Sequence, residues 1–314
     1  MIENLPGTIY QPVPDFEDHL EKELSSVYAA LPLHKLGPFY HVEADNSAKV
    51  FWTQNTWHEP MRIEFNSISE AAQALRSIQR NWAPSLFTQF RRGALIQEKL
   101  PSISTKAKQF PWLLPESPMG SFTLLDAHTM IASPLCSSPF PGGIITFEED
   151  KINPPSRAYL KLQEALVRAR KWPQPGERCL DAGACPGGWT WVLSQLGAEV
   201  TAVDRSPLDE RLMINPSINF IKHDAFTIKP EEIGPIDWFF SDVICYPEKL
   251  YQWIEKWLAS GLCKNFVCTI KMQGEADFET TKRFADIPGS SVSHLYYNKH
   301  ELTWIKIDSK LNPG

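Results

Sequence analysis

The chain has 314 residues, 43% hydrophobic and 22% charged, a length for about two domains and a balance that excludes global disorder and fibrous folds. Its net charge of −6 excludes wholesale coating of nucleic acid, because phosphate affinity comes from Lys and Arg, so any RNA contact is local. No apolar run nears the ~18 residues of a membrane span, and the start, Met1-Ile2-Glu3-Asn4, lacks the basic and apolar regions of a signal peptide. Six scattered cysteines without a C-x-x-C pair suggest neither a disulfide framework nor a structural zinc site. A cytoplasmic protein with reduced thiols, no membrane association and no metal is expected.

The first half opens on a strand at Thr8-Ile9-Tyr10, followed by helices near Asp15–Ala29 and Ser69–Arg80, which together predict a small α+β domain over residues 1–140. Residues 1–150 carry 11 basic against 17 acidic side chains. One stretch has the opposite sign: Arg76, Arg80, Arg91, Arg92, Lys99, Lys106 and Lys108 face only Glu98 and are interleaved with Trp82, Phe87 and Phe90. Cations for phosphates with flat rings for stacking suit single-stranded RNA. The same composition suits a solvated helix face whose aromatics belong to the core. Prolines 139, 141, 154 and 155 with Gly142-Gly143 disfavour long regular elements, so residues 141–155 are read as a linker.

From 156 onward strands and helices alternate. Ser156 is expected to cap a helix carrying Leu160, Leu162, Ala165 and Leu166, with Pro173 beyond its end. Strands are expected at 178–181, 199–203, 218–221, 238–241 and 266–270, with helices at 189–196 and 247–259. Ser291–Tyr297 and Leu302–Ile307 flank Asn298-Lys299-His300 as a closing hairpin. This alternation predicts a doubly wound, Rossmann-like parallel sheet with an antiparallel edge over residues 156–314.

The loop Asp181-Ala-Gly183-Ala-Cys185-Pro186-Gly187-Gly188-Trp189 lies between the first of these strands and its helix, where a ligand approaches the backbone closely. It has no G-K-[ST], and its glycines do not fit G-x-G-x-x-G. Asp204, at the end of the next strand, suits a ribose diol in dinucleotide and S-adenosylmethionine sites alike. Asp181, Asp224 and Asp242 at the other strand ends would repel a pyrophosphate and attract a sulfonium, which favours S-adenosylmethionine.

The D-A-G-A-C-P-G-G-W loop resembles the first motif of the FtsJ-type ribose 2′-O-methyltransferases. Pro155-Ser-Arg-Ala-Tyr-Leu-Lys161-Leu resembles that family's S-R-x-x-x-K-L helix, and Ser241-Asp242, Ile270-Lys271-Met272 and His300-Glu301-Leu302-Thr303 fall where its catalytic Lys-Asp-Lys-Glu group is expected. The resemblance implies Lys161, Asp242, Lys271 and Glu301 as the catalytic group. It implies Gly183, Cys185, Pro186, Gly187, Gly188, Trp189, Asp204, Asp224 and Asp242 as cofactor contacts. Asp242-Val-Ile-Cys-Tyr-Pro247 and the H-L-Y-Y-N-K-H-E-L-T close are most similar to the large-subunit ribosomal RNA methyltransferase M family. That branch implies a cytidine 2′-oxygen in 23S RNA as substrate and a THUMP-related N-terminal domain.

Methyl transfer to a sugar hydroxyl calls for positioning and for charge stabilisation at the oxygen. Lys271, ending an apolar strand, is the candidate for that oxygen, as a base or as a cationic stabiliser. The competing readings are another RNA target such as a cap or tRNA, a catalytically silent RNA-binding assembly factor, and an NAD-dependent dehydrogenase, which calorimetry with both cofactors would separate. DNA is not an expected partner.

Overall fold

The computed structural model describes residues 1–44 and 48–308. The chain divides into two compact units, Met1–Gln109 with Leu114–Phe147, and Phe110–Leu113 with Glu148–Gly314. No helix among the described residues is long and apolar enough to cross a membrane.

The first unit holds β1 (Ile2–Asn4), β2 (Thr8–Pro12), α1 (Glu17–Val27), β3 (His34–Leu36), β4 (Phe39–Val42), β5 (Thr53–Trp57) and β6 (Met61–Glu64). It continues with α2 (Ile68–Ile78), β7 (Trp82–Pro84), α3 (Phe90–Glu98), β8 (Gly120–Leu124) and β9 (Thr129–Ser133). Two sheets form, in the orders β3-β4-β2-β5 and β1-β6-β9-β8-β7. Ser67 starts α2 by accepting the Glu70 N–H at 3.2 Å, while the Glu70 side chain accepts the Asn66 N–H at 2.9 Å, so two orphan donors of the helix end are satisfied. Ala71, Ala72 and Leu75 of α2 and Ile96 of α3 are buried with Met61, Ile63, Phe122 and Met130 of the sheet.

This packing corrects the aromatic half of the basic stretch. Trp82 is fully buried and donates its indole N–H to Leu75 O at 2.9 Å. Phe87 is half-buried against the cluster of Ile9, Phe39 and Trp57. Phe90 alone of the three is open to solvent, at 63% exposure. The apolar cores claim the other two rings because burying aromatic area stabilises the fold by more than a solvated ring would.

In the second unit α4 (Tyr159–Ala169) precedes β10 (Arg178–Ala182), α5 (Gly188–Gln195), β11 (Glu199–Asp204), α6 (Glu210–Met213), β12 (Ile218–Lys222) and α7 (Pro230–Ile233). Then come β13 (Ile236–Ser241), α8 (Pro247–Ser260), β14 (Cys263–Lys271), α9 (Phe278–Asp286), β15 (Ser290–Ser293) and β16 (Glu301–Lys306). The seven-stranded sheet runs β12-β11-β10-β13-β14-β16-β15. Its first five strands are parallel, and β16 pairs antiparallel with both β14 and β15. The strand order thus reverses between β10 and β13, the switch point where such sheets receive ligands. Fully buried Trp238, Phe239 and Phe240 in β13, and Phe266, Val267 and Cys268 in β14, are the continuous apolar runs that strands covered on both faces require. In α8, buried Leu250, Trp253, Ile254 and Trp257 follow at helical spacing.

Two expectations differ. Ser156 does not cap α4, whose N-cap is Ala158 without a side-chain bond. Instead Ser156 Oγ lies 2.5 Å from where any Cβ on Gly188 would stand. Strand β15 stops at Ser293 rather than Tyr297, and beyond its end the N–H groups of Tyr296 and Tyr297 go to the Glu164 carboxylate. Helix α9 escapes the sequence pattern, since its polar face dominates; Asp277 caps it by accepting the Thr280 N–H at 2.9 Å.

Candidate active site

Strand pairing places two of the four expected catalytic residues side by side. Lys271 ends β14 and Glu301 begins β16, and they are direct partners across the antiparallel ladder. Asp242 follows the last residue of β13, and Lys161 comes from the first turn of α4. The side-chain ends converge: Lys161 Nζ lies 2.9 Å from Asp242 Oδ1 and 2.5 Å from Glu301 Oε1. Lys271 Nζ lies 3.0 Å from the same Asp242 oxygen and 3.9 Å from Glu301 Oε2. Burial would raise the Asp242 carboxyl, but Lys161 and then Lys271 outweigh it and hold the group below its ordinary range. Two ammonium groups therefore share one carboxylate oxygen, which offsets their mutual repulsion.

The glycine loop borders this cluster. Gly183 turns with φ +84°, and a Cβ there would stand 2.9 Å from Val243, the residue after Asp242. Gly187 has φ +111°, and a Cβ there would stand 2.3 Å from Leu212. Gly183 N–H bonds Val203 O at 2.8 Å, folding the loop onto β11. Ser241 Oγ donates to Ala182 O at 2.9 Å, tying the ends of β13 and β10 together. At the end of β11, Asp204 accepts the Cys185 N–H at 3.1 Å and the Ser206 N–H at 2.9 Å, one on each oxygen. Each oxygen has a second lone pair for a diol. Asp224 caps the turn Ala225–Thr227 by accepting the Phe226 N–H at 3.1 Å. The thiol of Cys185 is exposed and donates to Pro207 O at 3.3 Å. Pro186 O accepts the Asp209 N–H at 3.0 Å. This donor set, carboxylates at successive strand ends beside a tight glycine turn, fits S-adenosylmethionine and would repel a pyrophosphate.

Two expected lining groups turn inward. Trp189 is buried; its indole N–H donates to Ala158 O at 3.0 Å and its ring meets Phe240 edge-on. It braces the start of α4, and with it Lys161, rather than offering its ring to a ligand. Asp181 is 1% exposed and accepts the Thr190 hydroxyl at 2.6 Å. Burial pushes its carboxyl up to about 7 despite that bond, and Asp242 adds to the rise. Between the unfolded value near 3.9 and about 7 the folded chain keeps a proton that the unfolded chain releases, so stability falls as pH rises through that window. Asp181→Asn is expected to gain on the wild type by roughly 2–3 kcal/mol between pH 5 and pH 8 in denaturant titrations; parallel curves would mean that Asp181 ionises normally.

Sequence reading missed Glu164. It lies four residues after Leu160 on the face of α4 that periodicity marks as buried, and it is fully buried. A carboxylate on an apolar stripe was the signal, since such a group is buried only with partners. No group of three or more His, Cys, Asp or Glu among the described residues could hold a metal ion.

Residues 154–281 match the FtsJ-like methyltransferase family. This part of the chain is similar to FtsJ-like methyltransferase domains. The match sets aside the dehydrogenase alternative, whose glycine spacing the loop lacks. Ribosomal RNA large subunit methyltransferase M of Azoarcus sp. strain BH72 is 32% identical over 182 residues, 53% of this chain and 49% of that protein. The protein of the same name from Xanthomonas axonopodis pv. citri is 28% identical over 254 residues, 75% of this chain and 68% of its own. The chain spans about half the length of the first curated relatives it matches. Among solved structures, TrmN from Thermus thermophilus aligns over 95% of this chain and 98% of its own, at 14% identity and a TM-score of 0.33.

Proposed function

We propose that the protein is a cytoplasmic S-adenosylmethionine-dependent RNA ribose 2′-O-methyltransferase acting on large-subunit ribosomal RNA. One observation carries the reading: Lys161, Asp242, Lys271 and Glu301, brought from α4, β13, β14 and β16, meet within 2.5–3.9 Å beside the glycine turn. The names borne by the curated relatives supply the substrate class.

When bound, S-adenosylmethionine supplies a methyl group on a good leaving group, so the chain's task is to hold the acceptor and manage charge. Gly183, Cys185, Pro186, Gly187 and Gly188 would let backbone approach the cofactor, and Asp204 and Asp224 would accept hydrogen bonds from its nucleoside. Lys161 and Lys271, held by the shared Asp242 oxygen and by Glu301, present positive charge to the sugar oxygen. Lys271 lowers the energy of negative charge developing there as the methyl group is gained and the hydroxyl proton passes to water. Preorganisation by the two carboxylates means that neither ammonium must move during transfer.

Residues 1–140 are read as a THUMP-related RNA-holding module and residues 156–314 as the catalytic domain, with 141–155 as connector. Exposed Arg76, Arg80 and Arg91 support the RNA-holding role. Arg92, half-buried over the Phe65 ring at 5.5 Å, contributes charge near the surface. Their contribution is sequence-independent attraction to phosphate. The test is a map of 2′-O-methyl groups in large-subunit ribosomal RNA from cells with and without the gene. A single nucleotide that loses its methyl group and regains it on complementation is expected; an unchanged map would overturn the reading.

A further inference from the structure

We infer that Glu164 is a positioning residue that locks the Glu301 arm of the site to the helix carrying Lys161. Glu164 stands three residues after Lys161 on α4, and its fully buried carboxylate receives three donors. Arg168 Nε donates to Oε1 at 2.9 Å, Tyr296 N–H to Oε1 at 3.0 Å and Tyr297 N–H to Oε2 at 3.1 Å. The same helix reaches the start of β16 a second time, through Lys161 and Glu301 at 2.5 Å.

An isolated buried carboxylate is costly, and an apolar residue would pack α4 at less expense. What an apolar residue could not do is receive two successive backbone N–H groups. At most one of those two could have joined the ladder of β15, an edge strand that stops at Ser293 and whose successive N–H groups point to opposite sides. The carboxylate thus holds the 294–300 connection on α4 at Tyr296 and Tyr297, and Glu301 emerges from that connection in register with Lys271. Further bonds stiffen the connection: the His294 ring meets Lys299 O at 2.9 Å, and Asn298 bonds the Thr303 hydroxyl at 3.1 Å. Because none of these groups enters the ion cluster, Glu164 acts only through where Lys161 and Glu301 stand.

The inference rests on the methyl-transfer reading, and its test separates the two. Full-length wild type, Glu164→Gln and Glu164→Ala are compared for transfer of a labelled methyl group from S-adenosylmethionine to a large-subunit ribosomal RNA transcript. Cofactor affinity is measured by calorimetry, and amide exchange is followed at Tyr296 and Tyr297. Displacement of a positioned group by about 1 Å costs on the order of 10²-fold, so kcat is expected to fall about 100-fold in E164A and about 10-fold in E164Q. The Kd for S-adenosylmethionine and the KM for RNA should stay within about twofold, and the Tyr296 and Tyr297 amides should lose protection while β14 keeps its own. A carboxylate with a merely structural role would lower Tm and leave kcat of the folded protein unchanged. If E164A does not fold, E164Q, which keeps the volume, carries the test. A fall in kcat of less than threefold, or a loss of cofactor affinity equal to the loss in kcat, overturns the inference. A wild type unable to transfer methyl groups with protection at Tyr296 and Tyr297 intact overturns the functional reading instead.

Discussion

Lys271→Ala is expected to abolish detectable methyl transfer while the affinity for S-adenosylmethionine stays within a few fold. The side chain reaches the cluster from the end of β14 and meets Asp242 at 3.0 Å, so its removal leaves the sheet and the glycine loop untouched. It deletes the positive charge assigned to the sugar oxygen. Loss of one preorganised group at developing negative charge costs about 10²–10³-fold in rate. Lys161 cannot substitute, because it is tied to Asp242 and Glu301 at 2.9 and 2.5 Å from the other side. Single-turnover methylation with calorimetry in parallel separates chemistry from binding. Turnover retained in the alanine variant would remove Lys271 from the reaction.

Asp242→Asn is expected to cost stability as well as activity. The carboxylate stands between two ammonium groups and is 18% exposed. Breaking a buried pair by deleting one partner costs about 3–5 kcal/mol, and residual solvent access argues for about 3 kcal/mol here. For a unit of this size that corresponds to a fall in Tm of roughly 6–12 °C at neutral pH. The pH dependence has a definite sign. Asp242 is held below the ordinary aspartate value by Lys161 and Lys271, so its contribution is complete above about pH 4 and is lost as pH falls through the lowered value. The gap between wild type and variant should therefore narrow below about pH 4. A Tm within 2 °C of wild type at pH 7, against the roughly 6–12 °C expected, would show that the two lysines do not depend on this carboxylate.

The contrast between Asp242 and Asp181 shows what one strand-end position can become. Both stand at the C-terminal ends of apolar strands of the same sheet, Asp242 one residue beyond β13 and Asp181 one residue before the end of β10. One meets two ammonium groups and is held ionised. The other meets a threonine hydroxyl in the interior and keeps its proton to about 7. Sequence treats them alike because an aspartate after an apolar run carries no record of what packs above it. Trp189 and Trp82 make the same point: aromatic rings beside a glycine loop or among arginines suit ligand contact, yet both are claimed by cores whose other members come from remote segments.

Local chemistry was legible along the chain. The alternation of apolar runs and amphipathic segments specified the parallel sheet, and glycines between the first strand and its helix specified the turn. The resemblance to the FtsJ-type motifs implied Lys161, Asp242, Lys271 and Glu301 as one group. Their convergence was a matter for tertiary structure, since Lys161 and Asp242 are 81 positions apart and only the packing of α4 beside β16 joins them. Tertiary structure also decided that Glu164 would receive the Tyr296 and Tyr297 amides and that Asp181 would lie buried. The physical reason is range: hydrophobic periodicity and turn chemistry act between near neighbours, whereas burial, ion pairing and the capture of backbone donors depend on which distant surfaces meet.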